Sequence, residues 1–203
     1  MSSGVNTTNL FVELLVIGVG AAGWLALFVC AALGYDAAFV KKLLSTPAAI
    51  LPAIVAIYLL GIITDRVADS LLHFLRSERQ RLRHFPTEDE CLSTRGYVLA
   101  KSPYFATQFD YSRSRQRICR GWILNFLLLS VSMNVLLFSR PEVLTRVGNL
   151  SAVSSSHLSM VVTPILLLLA AGCWFSWEKL ADTELKRTKD QAKLLREIEE
   201  RRT

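Results

Sequence analysis

Long apolar runs alternate with charged stretches along this chain. Four runs are almost free of charge, and they cover residues 10–33, 43–64, 121–139 and 158–177. Each is close to the roughly 20 residues that a helix needs to cross the hydrocarbon core of a membrane. Because a spanning segment must satisfy its own backbone hydrogen bonds in lipid, the pattern predicts four transmembrane helices.

The predicted fold class is all-α. Residues 1–64 are expected to form a first transmembrane hairpin, and residues 121–177 a second one. Residues 65–120 between the hairpins are predicted to be a cytosolic segment of amphipathic helices, and residues 178–203 a charged helical tail.

The middle segment is expected to begin as a continuation of the second span. Apolar residues recur at helical spacing as far as Phe85, which predicts an amphipathic helix that ends at Pro86. Thr87 has the spacing of a capping box and predicts the start of a short helix. Residues 94–101 are predicted to be a loop or a brief extended piece, and Ser102 is predicted to start a further helix.

Proline and tryptophan residues suggest further features of the spans. Pro52 lies one turn after Pro47 in the second run and is expected to bend that helix. Trp174 and Trp177 close the fourth run, where aromatic side chains are typical of the interface between lipid and water.

The charge distribution predicts the orientation. The chain has a formal net charge of +6, and 52% of its residues are hydrophobic. Nearly all lysines and arginines lie in residues 65–120 and 178–203. Since positive segments stay on the cytosolic side, these segments and both termini are predicted to be cytosolic, with the two short connections outside. Retention of positive segments on the cytosolic side and their attraction to anionic lipid explain the positive charge. Direct binding of nucleic acid is therefore not expected.

Small and polar residues inside the runs indicate contacts between helices. Gly18 and Ala22 are four residues apart and form a smooth stripe that lets another helix approach closely. Asn125, Ser132 and Asn134 lie in the third run, where polar side chains are expected to face other helices or a wet cavity. Helix packing and pore lining both stay open for these three residues.

Three charged residues mark the membrane boundary after the second run. Asp65 and Asp69 are one helical turn apart, with Arg66 beside them. Like charges at this spacing can share a cation or a proton. Nearby bases such as Arg66 can neutralise them equally well, so both interpretations stay open.

Four arginines lie shortly before the third run, at Arg113, Arg115, Arg117 and Arg120. On a helix, Arg115 points away from the side that the other three share. Guanidinium groups beside aromatic residues can hold the phosphate of a lipid, a nucleotide or a nucleic acid. The alternative is a topology determinant that contacts lipid headgroups, so membrane lipids are expected partners in either case.

The sequence contains little that indicates catalysis. Arg79 and His84 match the R-x(4)-H spacing of HEPN ribonucleases, a resemblance that implies RNA cleavage across a dimer; the alternative is an ordinary helix face. The four cysteines have the spacing of neither a zinc site nor a disulfide framework. We therefore expect no enzyme, no metal and no cofactor.

The layout of apolar hairpins joined to charged cytosolic helices resembles the small multi-pass membrane components encoded with bacterial anti-phage defence systems. The resemblance implies a homo-oligomer in the bacterial inner (plasma) membrane. It also implies an antiviral effector that perturbs or permeabilises the membrane when its cytosolic helices receive a signal. The alternative is a membrane sensor or scaffold that recruits and regulates a soluble cytosolic partner protein without forming a pore.

Overall fold

Long helices make up the structure. The computed structural model describes residues 3–34, 46–140 and 155–201, without the side chains of residues 3–7, 9 and 73–81. Among the described residues the chain is almost entirely helical, and no strand occurs there. The elements in chain order are α1 (Ser3–Leu33), a turn of 3-10 helix (Pro47–Ala49), α2 (Ile50–Leu82), α3 (Glu88–Lys101), α4 (Pro103–Ser139) and α5 (Ser155–Glu200).

Four of these helices are long and apolar enough to cross a membrane. The apolar stretches lie at Leu10–Leu33 in α1, at Pro47–Leu72 around α2, and within α4 and α5. Among the described residues, this finding confirms the predicted all-α class with four helices of spanning character, which suggests a multi-pass membrane protein. The two predicted hairpin connections fall largely in residues 35–45 and 141–154, which lie outside the described residues.

Three helices continue past the ends of the apolar runs. α2, α4 and α5 contain 33, 37 and 46 residues, and none of them is interrupted where its apolar run meets the charged sequence. At about 1.5 Å per residue, α5 is roughly 70 Å long, more than twice the roughly 30 Å of a hydrocarbon core. These helices therefore connect the apolar and polar parts of the protein directly.

The prediction for residues 94–101 was wrong, because they belong to helix α3. The helix begins as predicted, since the Thr87 side chain accepts a hydrogen bond of 3.3 Å from the backbone N–H of Glu90. It continues because Thr94 and Val98, one turn apart, are buried. Tertiary packing thus outweighs the strand preference of β-branched residues.

Pro47 and Pro52 take the relative positions that the sequence predicts. Thr46 is the N-cap residue of a 3-10 turn that Pro47 opens, and this turn continues directly into α2 at Ile50. Pro52 therefore lies about one turn after Pro47, and the bend expected there stays a prediction. Pro164 lies inside α5.

Helices α1 and α2 approach each other most closely at two glycines. A Cβ atom added to Gly18 would lie 1.9 Å from the Ile57 carbonyl oxygen, and one added to Gly61 would lie 1.9 Å from the Leu14 carbonyl oxygen. No side chain fits at such distances. The stripe that contains Gly18 therefore lets the two backbones touch.

A small apolar core joins α2, α4 and α5 near the end of the apolar runs. It consists of Leu72, Ile123 and Trp177, with Trp174 packed against it. The expected interfacial role of Trp177 was wrong, because only 6% of this residue is exposed. The size of the indole explains the change, since burial among three helices removes much apolar surface from water or lipid.

The polar helices form a second packed unit, here called the polar lobe: α3, residues 103–120 of α4 and residues 178–200 of α5. Phe85 follows α2, packs into this lobe and is 2% exposed. Val98 of α3 and Ala192 of α5 are also buried. At the far end, the Tyr97 hydroxyl donates a 2.7 Å hydrogen bond to Glu199. The lobe is thus packed tightly around the ends of helices that also contain spans.

Candidate functional site

Five charged side chains from three helices meet where the apolar runs end. Glu13 lies on α1, Asp65 and Asp69 on α2, and Arg117 and Arg120 on α4. The spacings of four and three residues place each pair of charges on one helix face. We call these five residues the boundary cluster.

The two arginines of the boundary cluster connect α4 to the other helices: Arg117 contacts α1 and α2, and Arg120 contacts α2. Arg117 Nη1 donates a 2.8 Å hydrogen bond to Glu13 Oε2, and Arg117 Nε lies 3.6 Å from Asp65 Oδ2. Arg120 Nη2 lies 3.4 Å from Asp65 Oδ1, and Arg120 Nη1 also binds Asp69. The carboxylates of Glu13 and Asp65 are only 8% exposed. Asp65 therefore links both arginines, and the cluster ties α1, α2 and α4 together.

Arg66, the base next to Asp65 in the sequence, does not neutralise the two aspartates. Arg66 is exposed and makes no ion pair with a described residue, whereas α4 supplies both partners. With all groups ionised, three carboxylates face two guanidinium groups. Arg66 and Arg113 line the cavity beside these groups and add positive charge, so a shared proton or cation at the two aspartates stays a prediction from the sequence alone.

A cavity of about 400 Å³ opens beside the boundary cluster. Leu10, Leu14 and Ile62 line its apolar side. Two carboxylates and four guanidinium groups line its polar side: Asp65, Asp69, Arg66, Arg113, Arg117 and Arg120. Arg120 Nε is buried and has no hydrogen-bond partner among the described residues. The cavity is within the size range of small-ligand sites, and it combines an apolar wall with charged groups of both signs.

The structure divides the four predicted phosphate-binding arginines between two sides of α4. Arg113, Arg117 and Arg120 line the cavity of the boundary cluster, as the helical spacing predicts. Arg115 lines a separate groove toward α5. The Arg113 guanidinium lies 5.8 Å from the centre of the Phe109 ring, and that of Arg115 lies 4.5 Å from the centre of the Tyr111 ring. Phosphate binding stays a prediction for all four.

The polar residues of the third span make hydrogen bonds within the chain. Asn125 is fully buried; its Nδ2 donates to the Ile17 carbonyl at 2.8 Å, and its Oδ1 accepts from Trp24 Nε1 at 3.1 Å. Ser132 is also fully buried and donates to a backbone carbonyl one turn earlier at 3.2 Å. Asn134 Nδ2 lies 2.8 Å from the Thr163 hydroxyl of α5. Ala22, on the stripe of Gly18, is half-buried.

The sequence did not reveal a second charged contact, inside the polar lobe. The Arg95 guanidinium lies 3.9 Å from the centre of the Phe109 ring. Burial lowers the pKa of Arg95, and the nearby Glu184 partly opposes this shift. The signal available in the sequence was weak, because Arg95 and Glu184 are 89 positions apart.

The R-x(4)-H pair is only partly described. The side chain of Arg79 lies outside the described residues. His84 Nε2 lies 2.8 Å from Asp182 Oδ1, so the imidazole contacts α5. Nuclease activity stays a prediction from the spacing alone, and unchanged RNA cleavage by a His84→Ala protein would contradict it. No group of three or more potential metal ligands occurs among the described residues.

Comparison with known proteins finds no match among protein-family models, curated proteins or solved structures.

Proposed function

We propose that this protein is a membrane scaffold or sensor that binds a soluble partner protein through its polar lobe and regulates it. The observation that carries the proposal is the continuity of α4 and α5, which run unbroken from their apolar segments into the lobe. A partner bound to the lobe is thereby coupled to the spans by two continuous helices. We place the chain in a bacterial inner membrane with the lobe and both termini in the cytosol, because the positive charge is concentrated there.

The polar lobe has a cleft that suits a protein segment. The cleft has a volume of about 520 Å³ and lies between α3 and the last turns of α5. Phe85 lines it together with charges of both signs, including Glu90, Lys193 and Arg196. Nucleic acid requires a mainly positive surface, whereas alternating charges beside an apolar floor complement a peptide of mixed charge.

The hydrogen bonds of the third span support the same function. Asn125, Ser132 and Asn134 use their polar groups within the chain. Of the two roles left open by the sequence, this geometry favours helix packing over pore lining. Because these hydrogen bonds hold the spans together, we assign the function of the protein to the polar lobe.

The test is purification of the full chain in mild detergent from its native host, followed by mass spectrometry of bound proteins. Arg196→Glu reverses one charge of the cleft, and Lys186→Glu makes the same change on an exposed part of α5 outside it. We expect one stoichiometric soluble partner that the wild type and Lys186→Glu retain and Arg196→Glu loses. Equal retention by all three proteins, or no partner, contradicts the proposal.

A second candidate function is a homo-oligomeric effector that permeabilises the membrane, in line with the defence-type layout. It is favoured by the uncovered spans: only 11% and 6% of the residues in the apolar windows of α2 and α5 are buried, against 33% and 39% in α1 and α4. Further copies of the chain can pack on these faces. Dye release from vesicles that contain the pure protein, together with a native mass of several chains, supports this candidate. A monomeric mass and tight vesicles contradict it.

A further inference from the structure

A groove between α4 and α5 is separate from the boundary cluster and from the cleft of the polar lobe. Ile118 and Cys119 form its side on α4, and Phe175 and Leu180 form its side on α5. Its volume is about 530 Å³, and most of its lining is apolar. Two cations, Arg115 and Lys179, complete the lining. We call this feature the α4–α5 groove.

The helical spacing explains why these residues meet. Arg115, Ile118 and Cys119 follow each other at positions i, i+3 and i+4, and Phe175 and Lys179 are four residues apart. Such spacings place side chains on one face of each helix. Both cations lie where the apolar runs end, since Lys179 follows the buried Trp177 by two residues. This is the level at which lipid headgroups lie.

Unlike the arginines of the boundary cluster, the two cations of the groove have no ion-pair partner among the described residues. Arg117 and Arg120 contact three carboxylates between them. Arg115 and Lys179 form no ion pair with any described residue, and each lies over an aromatic ring, at 4.5 and 5.6 Å from its centre. Asp182, one turn beyond Lys179, attracts it electrostatically, but the ion pair of Asp182 is with His84. The groove therefore joins an apolar floor to two cations whose charge is not compensated by an ion pair.

We propose that the α4–α5 groove binds one anionic phospholipid, whose phosphate contacts Arg115 and Lys179 and whose acyl chain covers the apolar floor. A phosphate diester supplies the negative charge that these cations lack, and long basic side chains reach headgroups while their stems cover apolar surface. A zwitterionic lipid fits less well, because its own ammonium group competes for the phosphate. This lipid site is independent of the proposed partner-binding function.

The test compares lipids retained by the full chain. The protein is reconstituted in nanodiscs with equal amounts of phosphatidylglycerol and phosphatidylcholine, then released and weighed by native mass spectrometry. We expect one phosphatidylglycerol per chain in the wild type. Arg115→Gln with Lys179→Gln is expected to lower this retention about tenfold, because two charge-assisted contacts to one phosphate are lost. Equal retention of the two lipids by the wild type overturns the proposal.

A matched variant separates a site from general attraction. Arg187→Gln with Lys186→Gln removes the same charge from exposed positions outside the groove. We expect it to retain lipid as the wild type does. An equal loss in both double variants overturns the proposal, because it indicates bulk attraction only.

Two further measurements examine the apolar floor and the source of the phosphate. Cys119→Trp fills the floor and keeps both cations, so we expect it to expel the lipid while the melting temperature of the protein shows that it is folded. Inorganic phosphate is expected not to displace the lipid. Displacement by inorganic phosphate, or full retention by a folded Cys119→Trp protein, overturns the lipid assignment.

Discussion

Replacing Arg117 by glutamine tests the boundary cluster most directly. The change removes the 2.8 Å hydrogen bond to Glu13 and the 3.6 Å contact to Asp65 while keeping a polar side chain of moderate length. Glu13 then has no cation of the described residues within ion-pair distance and stays 8% exposed, whereas Asp65 keeps Arg120 at 3.4 Å. The substitution therefore leaves one buried carboxylate without its base.

The expected loss of stability follows from this geometry. Removing one partner of a buried ion pair costs about 3–5 kcal/mol, because the other charge stays buried and uncompensated. The Arg117 side chain is 23% exposed, so water solvates part of the site. We therefore expect Arg117→Gln to lower the free energy of unfolding by about 2–3 kcal/mol, below the full range for a buried pair.

The assay is equilibrium unfolding of the detergent-solubilised protein with increasing sodium dodecyl sulfate, monitored by helical circular dichroism. A double-mutant cycle with Glu13→Gln isolates the pairwise contact, and we expect a coupling free energy of about 1–2 kcal/mol for residues in direct contact. Arg113→Gln, one turn earlier on the same helix and exposed, is the control and should change stability by less than about 0.5 kcal/mol.

Two results would refute this reasoning. If the losses from Arg117→Gln and Glu13→Gln add within about 0.3 kcal/mol, the two side chains do not interact. If Arg117→Gln costs no more than the Arg113→Gln control, the boundary cluster does not hold the spans together.

Three other predictions concern the contacts between helices. Gly18→Ala places a Cβ atom 1.9 Å from a carbonyl oxygen of α2 and should cost about 1–3 kcal/mol by overpacking, measured by the same unfolding assay. Asn125→Leu removes two hydrogen bonds to α1 and should cost about 1–2 kcal/mol in that assay. The hydrogen bond to Glu199 is the main cause of a raised pKa of Tyr97, so its contribution is present below the ordinary pKa of 10.0 and is lost as pH rises through the raised value. The protection factor for hydrogen exchange at the end of α5, which corrects for base catalysis of exchange, should therefore fall at alkaline pH in the wild type and fall less in Tyr97→Phe.

Each of these predictions has a control or a contrary outcome. Gly172→Ala meets no atom within 4 Å and should leave stability unchanged, so an equal loss at both glycines contradicts the steric argument. If Asn125→Leu unfolds with the same free energy as the wild type, the two hydrogen bonds of Asn125 make no net contribution to stability. Tyr111→Phe is the exposed control for Tyr97→Phe, and identical alkaline profiles for Tyr97→Phe and wild type remove the role of the hydroxyl.

Local features were predicted well because local physics decides them. Four charge-poor runs of membrane length are sufficient to predict four spanning helices. The hydroxyl of Thr87 is in reach of the backbone N–H three residues later whatever the rest of the chain does. Ser102 likewise accepts from Phe105 N at 3.5 Å where α4 begins. Helix caps and membrane-spanning helices can thus be predicted from a single sequence.

Predictions that depended on a helix boundary or on packing were less successful. Residues 94–101 have β-branched and aromatic side chains that suit a strand, yet Thr94 and Val98 are buried within a helix. Trp177 has the aromatic side chain that is typical of an interfacial anchor, but it lies in the apolar core.

The sequence by itself determined the number of helices long and apolar enough to span a membrane, the class of fold and the concentration of positive charge in two segments. Only the tertiary structure decided which charges are paired. Glu13 and Arg117 are 104 positions apart, and Asp65 and Arg120 are 55 apart. Likewise, Arg115 and Lys179 line one groove only because α4 packs on α5. The composition of a segment determines whether it prefers lipid or water, but the partner of a polar side chain depends on how the helices pack.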